Sequence, residues 1–403
     1  MLSARPLPLN GVRVLDFTWV VAGPVATRIL ADQGAEVVKV ERKVPPQIGD
    51  RKRGLLCELH RDKLSVAINM SHPEGVELAR KLARKSDLVM DNFSARVMKA
   101  WGMDYASLAQ IKPDIICISM SGLGHTGPRA SYVSYGPTLQ ALGGYTHLMA
   151  EATEEPAGYG YSYADMAGGY TGALAALIAL YHKRRTGQGQ FVDLSQFEAV
   201  VSVVGPALLD IAVNDREQAP PQYNSQEGPA APHGVYRCAP LDKDDDRWIA
   251  ISVRTQGEWE RFVNAIGAPP WTSDAKFQTL YLRTKNHTEL DTHLARWTRE
   301  RSAEDAMMIL QRAKIAAGVV SNGADICARD PQLKERGYWA SVTRADGEQS
   351  RVVGIPFKMS DTPASVRSIA PDVGEHTDYV LGELLGLTRA ERDALIASGA
   401  VWS

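Results

Sequence analysis

Asp165 stands alone among small and aromatic residues in "GYGYSYADMAGGY" (158–170), and the apolar run "TGALAALIALYHKRR" (171–185) follows directly. Two chemistries fit an acid in this setting. One is an N-cap, because an Asp side chain accepts hydrogen bonds from the free amides that open a helix. The other is a nucleophile. The helix dipole and the same amides hold such a carboxylate ionised, and an ionised carboxylate can form a covalent intermediate with an activated acyl group. Gly168 and Gly169 allow another molecule to approach the backbone closely. The "HKRR" at the far end answers to the negative pole of the helix and needs no further role.

A second group of residues has the chemistry of anion binding. "EVVKVER" (36–42) ends in Arg42, at the carboxyl end of a strand, where open α/β sheets bind ligands. A guanidinium there can pair with a phosphate or stack on a base; its plain alternative is a solvated surface arginine. "GDRKRG" (49–54) adds Arg51, Lys52 and Arg53. Together they suit a multiply phosphorylated ligand, or form a wet basic face.

The elements that must position these groups alternate between strand and helix. "VRVLDF" (12–17) reads as a strand, "GPVATRILADQGA" (23–35) as a helix and "EVVKVER" as the next strand. This βαβ unit implies a parallel sheet with helices packed on it. The pattern continues through the strand "SVAINM" (65–70), the helix "SHPEGVELARKLARKSD" (71–87, with Ser71 as cap), and the strands "LVMDNF" (88–93) and "IICISMSG" (115–122). Residues 1–205 therefore form a doubly wound α/β domain. Residues 206–233, rich in Pro, Gly and polar residues from 214 on, read as a linker. Residues 234–320 read as a small α+β domain that opens with a hairpin (234–253) and continues in three helices. Residues 321–403 return to the first domain, with Thr388 capping a last helix.

Composition excludes several classes. Lys and Arg number 45 against 47 Asp and Glu, a balance that makes no case for nucleic acid or an anionic membrane. The four cysteines are widely separated, which argues for neither a zinc site nor a disulfide framework, and no metal site is expected. The N-terminus lacks a signal-peptide core and the longest apolar runs are too short to span a bilayer, so a soluble cytoplasmic protein is expected. The first βα turn, "DFTWVVAGPVATRIL", lacks GxGxxG, and no GxxxxGK[ST] occurs, so a dinucleotide or P-loop reading fails.

Several long stretches resemble one family. "LDFTWVVAGPVATRILADQGAEVVKVE", "DNF" with "WGMDYASLAQIKPDIICISMSGLGHTGP", and "YSYADMAGGYTGALAALIALYHKRRTGQGQFVDLSQFEA" are similar to family III CoA-transferases, the CaiB/BaiF family, and "GVYRCAPLDKDDDRWIAISV" is similar to its small-domain hairpin. The resemblance runs from about residue 8 to the C-terminus. It implies a discontinuous Rossmann-like large domain with an inserted small α+β domain, and an interlocked dimer. It implies transfer of CoA from an acyl-CoA to a free carboxylic acid. The catalytic acid of the family matches Asp165, which would then form an acyl anhydride and an aspartyl-CoA thioester. No tightly bound cofactor is required, because coenzyme A thioester is the substrate. Amides near Gly168 and Gly169 are candidates for oxyanion stabilisation.

The same resemblance assigns Arg42 to CoA, with Asn92, Arg96, Lys99, Val20 and Val21 as further contacts. Arg96 and Lys99 are not clean matches, because family members often carry Arg at the position of Ala100. Tyr135, Tyr161, Tyr163 and His233 are candidates for the acyl pocket, with buried core residues as the alternative. Val21 stands where the formyl-CoA:oxalate branch has Gln, which argues against oxalate; succinyl-CoA with an aryl-substituted or dicarboxylic acceptor fits the degradative members. The family's 2-methylacyl-CoA racemases pair a His with the Asp as opposed bases. This chain has Tyr135 in that place, and His125 lies ten residues early. A third reading is a CoA-binding subunit that requires a related partner.

Overall fold

The computed structural model describes residues 6–43, 54–149, 160–215, 230–241, 246–343 and 347–402. It divides into two compact units: Met1–His147, Ala157–Gly205 and Gln332–Ser403 form the first, and Leu148–Pro156 with Pro206–Pro331 form the second.

The first unit is built on six strands: β1 (Arg13–Asp16), β2 (Glu36–Glu41), β3 (Lys63–Ala67), β4 (Leu88–Asp91), β5 (Ile116–Ser119) and β6 (Gln190–Asp193). All neighbours are parallel, in the order β3-β2-β1-β4-β5-β6. Chain order reverses between β1 and β4, so the crevice at their carboxyl ends is the place where this topology holds a ligand. The helices are α1 (Ala22–Asp32), α2 (Gly54–His60), α3 (Pro73–Arg84), α4 (Arg96–Ala100), α5 (Tyr105–Ile111), α6 (Gly136–Leu142), α7 (Tyr145–Met149), α8 (Tyr163–Thr186) and α9 (Gln196–Val203). One core packs Leu15, Val38, Val66 and Val89 against Leu78 and Leu82 of α3 and Leu108 of α5. The other packs Val14, Val37, Leu88 and Ile118 against Leu30 of α1 and Ala173 and Ala176 of α8. β1, β2, β4 and β5 therefore bury both faces, which explains their near-continuous apolar runs, whereas the edge strand β6 leaves Phe191 and Asp193 exposed.

In the second unit, α10 (Gly205–Asn214) comes first; its opening Gly205 still belongs to the first unit. β7 (His233–Arg237), β8 (Trp248–Ser252) and β9 (Ala316–Val319) then form an antiparallel sheet. It is covered by α11 (Gln256–Ala265), α12 (Leu280–Lys285), α13 (His287–Arg299) and α14 (Ala303–Arg312) around Phe262, Phe277, Leu290 and Leu310. After α15 (Pro331–Glu335), the first unit resumes with β10 (Trp339–Thr343), β11 (Gln349–Val353) and α16 (Arg389–Ala397), and Val401 bridges back to Ile68 beside β3.

Three local readings change. The stretch read as a linker begins as α10, because "GPALLDIAVN" is apolar enough to continue the helical pattern. Helix α3 is capped by His72, whose Nδ1 accepts from the Glu74 amide at 3.3 Å, rather than by Ser71. Asp165 is inside the first turn of α8, with Ser162 at the N-cap. Thr388 does cap α16, in a reciprocal capping box with Glu391. The charged turn of the 234–253 hairpin (242–245) lies outside the described residues.

Helix α8 has two unlike sides. Gly168, Gly169, Gly172 and Ala176 are buried. On the other side Tyr170, Leu174, Leu177, Ile178 and Tyr181 are each 41–63% exposed. Their spacing of 4, 3, 1 and 3 residues makes one apolar stripe. Among the described residues no single helix is long and apolar enough to cross a membrane.

Candidate active site

The turn between β1 and α1 is fixed peptide by peptide. Asp16, fully buried at the end of β1, accepts from the Thr18 amide (2.8 Å) and hydroxyl (2.6 Å), from the Thr27 hydroxyl (2.7 Å) and from Lys63 (3.2 Å). Lys39, buried on β2, donates to the Thr18 carbonyl. Burial alone would raise the Asp16 pKa, but Lys39 and Lys63, with the two threonines, hold it down to about 2. Burial pulls Lys63 down to about 8. Asn92, just beyond β4, clasps the next residue: its Oδ1 accepts from the Trp19 amide and its Nδ2 donates to the Trp19 carbonyl, both at 2.8 Å. Val20 then has φ +61°, a conformation that a β-branched residue adopts only when its surroundings impose it. The clasped turn delivers Val21 as the N-cap of α1 and Ala22 as its first residue.

Asp165 sits against that N-terminus. Burial raises its pKa, while the Ser162 hydroxyl and the Ala22 backbone amide pull it partly back. It is half-buried, and no cation is among these influences. Its seat requires Gly136. A Cβ there would fall 1.7 Å from Ser162 Oγ and 2.4 Å from Asp165 Oδ2, so the α6 backbone lies directly on the carboxylate. Gln140 on α6 accepts from the Ala164 amide at 3.3 Å and so holds the start of α8. A Cβ on Gly169 would lie 2.6 Å from Val25 Cγ1 and 2.9 Å from the Ala22 carbonyl, which brings α8 onto α1. Gly168 packs on Gln196 in the same way. This corrects the oxyanion reading: both glycines lie beyond the first four residues of the helix, where each amide is committed to the carbonyl four residues earlier. The amide beside the carboxylate is that of Ala22.

Of the basic candidates, Arg42 lies near the turn. Arg42 is exposed and lies 5.9 Å from the Trp19 ring. Trp19 in turn packs on Phe93, at 5.9 Å, and Phe93 meets Trp101 edge-on at 5.5 Å. Arg96 and Lys99 are exposed on α4, which follows that segment. Arg51, Lys52 and Arg53 lie outside the described residues.

Residues 9–377 match CoA-transferase family III. The chain belongs to this family. Succinyl-CoA–D-citramalate CoA-transferase of Chloroflexus aurantiacus is 29% identical, with all of both chains aligned. The beta subunit of succinyl-CoA–L-malate CoA-transferase from the same organism is 29% identical over 96% of each chain. The crystal structure of a CaiB/BaiF family protein from Brucella suis superposes with a TM-score of 0.83 at 27% identity, covering 94% of this chain and 100% of that one. The protein is therefore a CoA-transferase with the CaiB/BaiF fold.

In this transferase the pocket candidates fall in both units. Tyr135 is the exposed N-cap of α6, one residue before Gly136. Tyr161 is exposed; burial of its phenol, then Tyr170 and Asp165, raise its pKa, and Arg28 lowers it. Tyr163 stacks on Tyr145, 5.2 Å apart and nearly parallel. His233 belongs to the second unit, where its Nδ1 is 2.8 Å from Ser252 Oγ. His125 is occupied as well: its Nε2 is 2.8 Å from Ser119 Oγ, which donates to Asp91 at 3.1 Å. Burial pushes Asp91 up to about 7, against the pull of the Phe93 amide and Ser119.

Sequence reasoning missed Gly136, Gln140 and the Asp16–Lys39–Lys63 cluster. The charges within "VRVLDF", "EVVKVE" and "RDKLSVA" were the available signal: a Lys or Asp inside a buried strand needs a partner.

Proposed function

We propose that this transferase moves CoA from an acyl-CoA donor to a free carboxylic acid through covalent intermediates on Asp165. The observation that carries the reading is the seat of Asp165: a half-buried carboxylate with a raised pKa and no cation, facing the Ala22 amide. A carboxylate left weakly paired keeps its lone pairs for attack, and burial raises its reactivity.

One Asp165 oxygen attacks the donor thioester carbonyl. The C–S bond breaks, CoA leaves as thiolate, and a mixed anhydride remains. The thiolate attacks the aspartyl carbon, giving an aspartyl-CoA thioester and the free donor acid. The acceptor carboxylate then attacks that thioester and expels the thiolate to form a second anhydride. The thiolate takes the acceptor acyl group, and Asp165 is regenerated. Charge and atoms balance without a proton donor. The Ala22 amide stabilises the oxyanions, in a fixed position that costs no reorganisation. Arg42, Arg96 and Lys99 pair with the phosphates, Trp19 and Val20–Val21 line the pantetheine path, and Asn92 acts by holding the turn. Two copies interlock in the cytoplasm, with the apolar stripe of α8 supplying buried surface. Pairing with a related subunit is the variant that the malate transferase's named subunit supports. Racemisation is not favoured, because Tyr135 occupies the sequence position where the racemases carry histidine and His125 is engaged with Ser119.

The test is trapping. With acyl-CoA and hydroxylamine, the enzyme loses activity and mass spectrometry finds a hydroxamate on Asp165; hydroxylamine alone does nothing. Asp165→Asn lowers turnover about 10³-fold or more. Normal turnover in that variant, or no adduct on Asp165, would falsify the covalent route.

A further inference from the structure

We propose that Arg28 binds the second, non-reacting carboxylate of a short dicarboxylic substrate, so that the acyl site selects diacids over monoacids. The inference rests on the covalent reading of Asp165, because it concerns the same site.

The register of the two helices places Arg28. A Cβ on Gly169 would touch Val25 and the Ala22 carbonyl, and one on Gly172 would lie 3.3 Å from Ala26 Cβ. The Ala22–Val25–Ala26 side of α1 therefore faces α8, and the two helices run in the same direction from the Asp165 end. Arg28 is three residues past Val25, on the adjoining edge of that side. It is six residues past Ala22, or about 9 Å along the axis. Side chains of a helix lean toward its N-terminus, so the long Arg28 side chain reaches back toward the carboxylate.

Its surroundings agree. The Tyr161 phenol lies within electrostatic range of both Arg28 and Asp165. Tyr338 feels both Arg28 and Tyr170, the exposed tyrosine two turns into α8. Arg28 pulls on the Glu58 carboxylate, and Glu58 is paired at 2.8 Å with Arg61. Arg28 Nε is fully buried and has no hydrogen-bond partner among the described residues. A guanidinium donates only and cannot shed its charge, so a buried donor left unused is a standing cost that an arriving carboxylate removes. The phosphates of CoA are the other candidate anion, but Arg42, Arg96 and Lys99 stand exposed near the β1–α1 turn and the segment after β4, at the mouth of the sheet. Arg28 is left for the acyl end. Tyr161 and Tyr338 lie within its electrostatic range, and their rings and hydroxyls suit a short carbon chain with a charged terminus.

The experiment compares matched substrates that differ only in the distal group: succinyl-CoA with glutarate, and butyryl-CoA with valerate. The wild type is expected to favour the diacid pair. Arg28→Gln is expected to lower kcat/KM for the diacid pair about 100-fold, mainly through KM, and to leave the monoacid pair within about threefold. Arg28→Lys keeps the charge without the fork and should fall between. If Arg28→Gln does not fold, Arg28→Lys with an unchanged melting temperature must show the same diacid-specific rise in KM. Equal losses on both pairs, no loss on either, or a wild type indifferent to the second carboxylate overturn the assignment. Hydroxylamine trapping of Arg28→Gln with butyryl-CoA reads the covalent step without any distal carboxylate. A trapped Asp165 with no diacid effect sinks the anchor alone; no trapping in the wild type sinks the covalent reading.

Discussion

Asp16 and Asp165 lie at opposite ends of one short path, the β1–α1 turn, and their environments are nearly reversed. Asp16 is entirely buried, but two lysines and two threonines answer it, and its pKa falls to about 2. Asp165 is only half-buried, yet with no cation among the groups that act on it its pKa rises. Burial alone therefore does not decide which carboxylate is reactive; the supply of opposite charge does. Asp91, at the end of the strand next to β1, makes the same point. It is as buried as Asp16, lacks a cation, and rises to about 7. One carboxylate anchors, one is available for chemistry, and one is poised to take up a proton.

The widest separation between these roles is in stability. Asp16→Asn leaves Lys63 buried beside a neutral group and should cost about 3–5 kcal/mol in urea unfolding. Asp165→Asn should change stability by less than about 1 kcal/mol, because it removes a charge that burial disfavours. Equal losses would erase the distinction between anchor and reagent.

A second contrast is in the pH profile of activity. On the proposed covalent route only ionised Asp165 attacks, so kcat/KM should fall as pH falls through its pKa. That pKa is raised, so the acid limb lies above the 3.8 of an ordinary aspartate. Asp91→Asn should leave this limb in place; a limb that moves with Asp91 would transfer the titration to the wrong residue.

The smallest effect concerns Asp91 itself. Its folded-state pKa is above the unfolded one, so its contribution to stability is full below about pH 4 and is lost as pH rises through about 7. The melting temperature of the wild type should decline across that window more steeply than that of Asp91→Asn, by a few degrees at most. Parallel curves would show that Asp91 keeps its charge when buried.

The sheet was legible because its strands are buried on both faces and its helices carry their own punctuation, as at Pro24 and in the Thr388 box. Asp165 was legible as a candidate acid from its lone position before an apolar helix; its seat was not legible. Gly136 and Gln140 are more than twenty residues away in the chain, and their meaning comes from helix packing, which leaves no local pattern. The capping assignments at Ser71 and Asp165 missed by one and three residues because several polar residues in a row compete for the same amides, and only tertiary contacts choose among them. Gly168 and Gly169 signalled close approach correctly, but the approaching partners are Gln196 and α1.

One feature of α8 joins chemistry to quaternary structure. Asp165 rides at the head of a 24-residue rod whose outer side is bare from Tyr170 to Tyr181. Whatever covers that side presses on the beam that carries Asp165, with glycines and alanines packed between the beam and α1. Dilution then becomes a chemical variable: specific activity should follow the fraction of chains with that side covered.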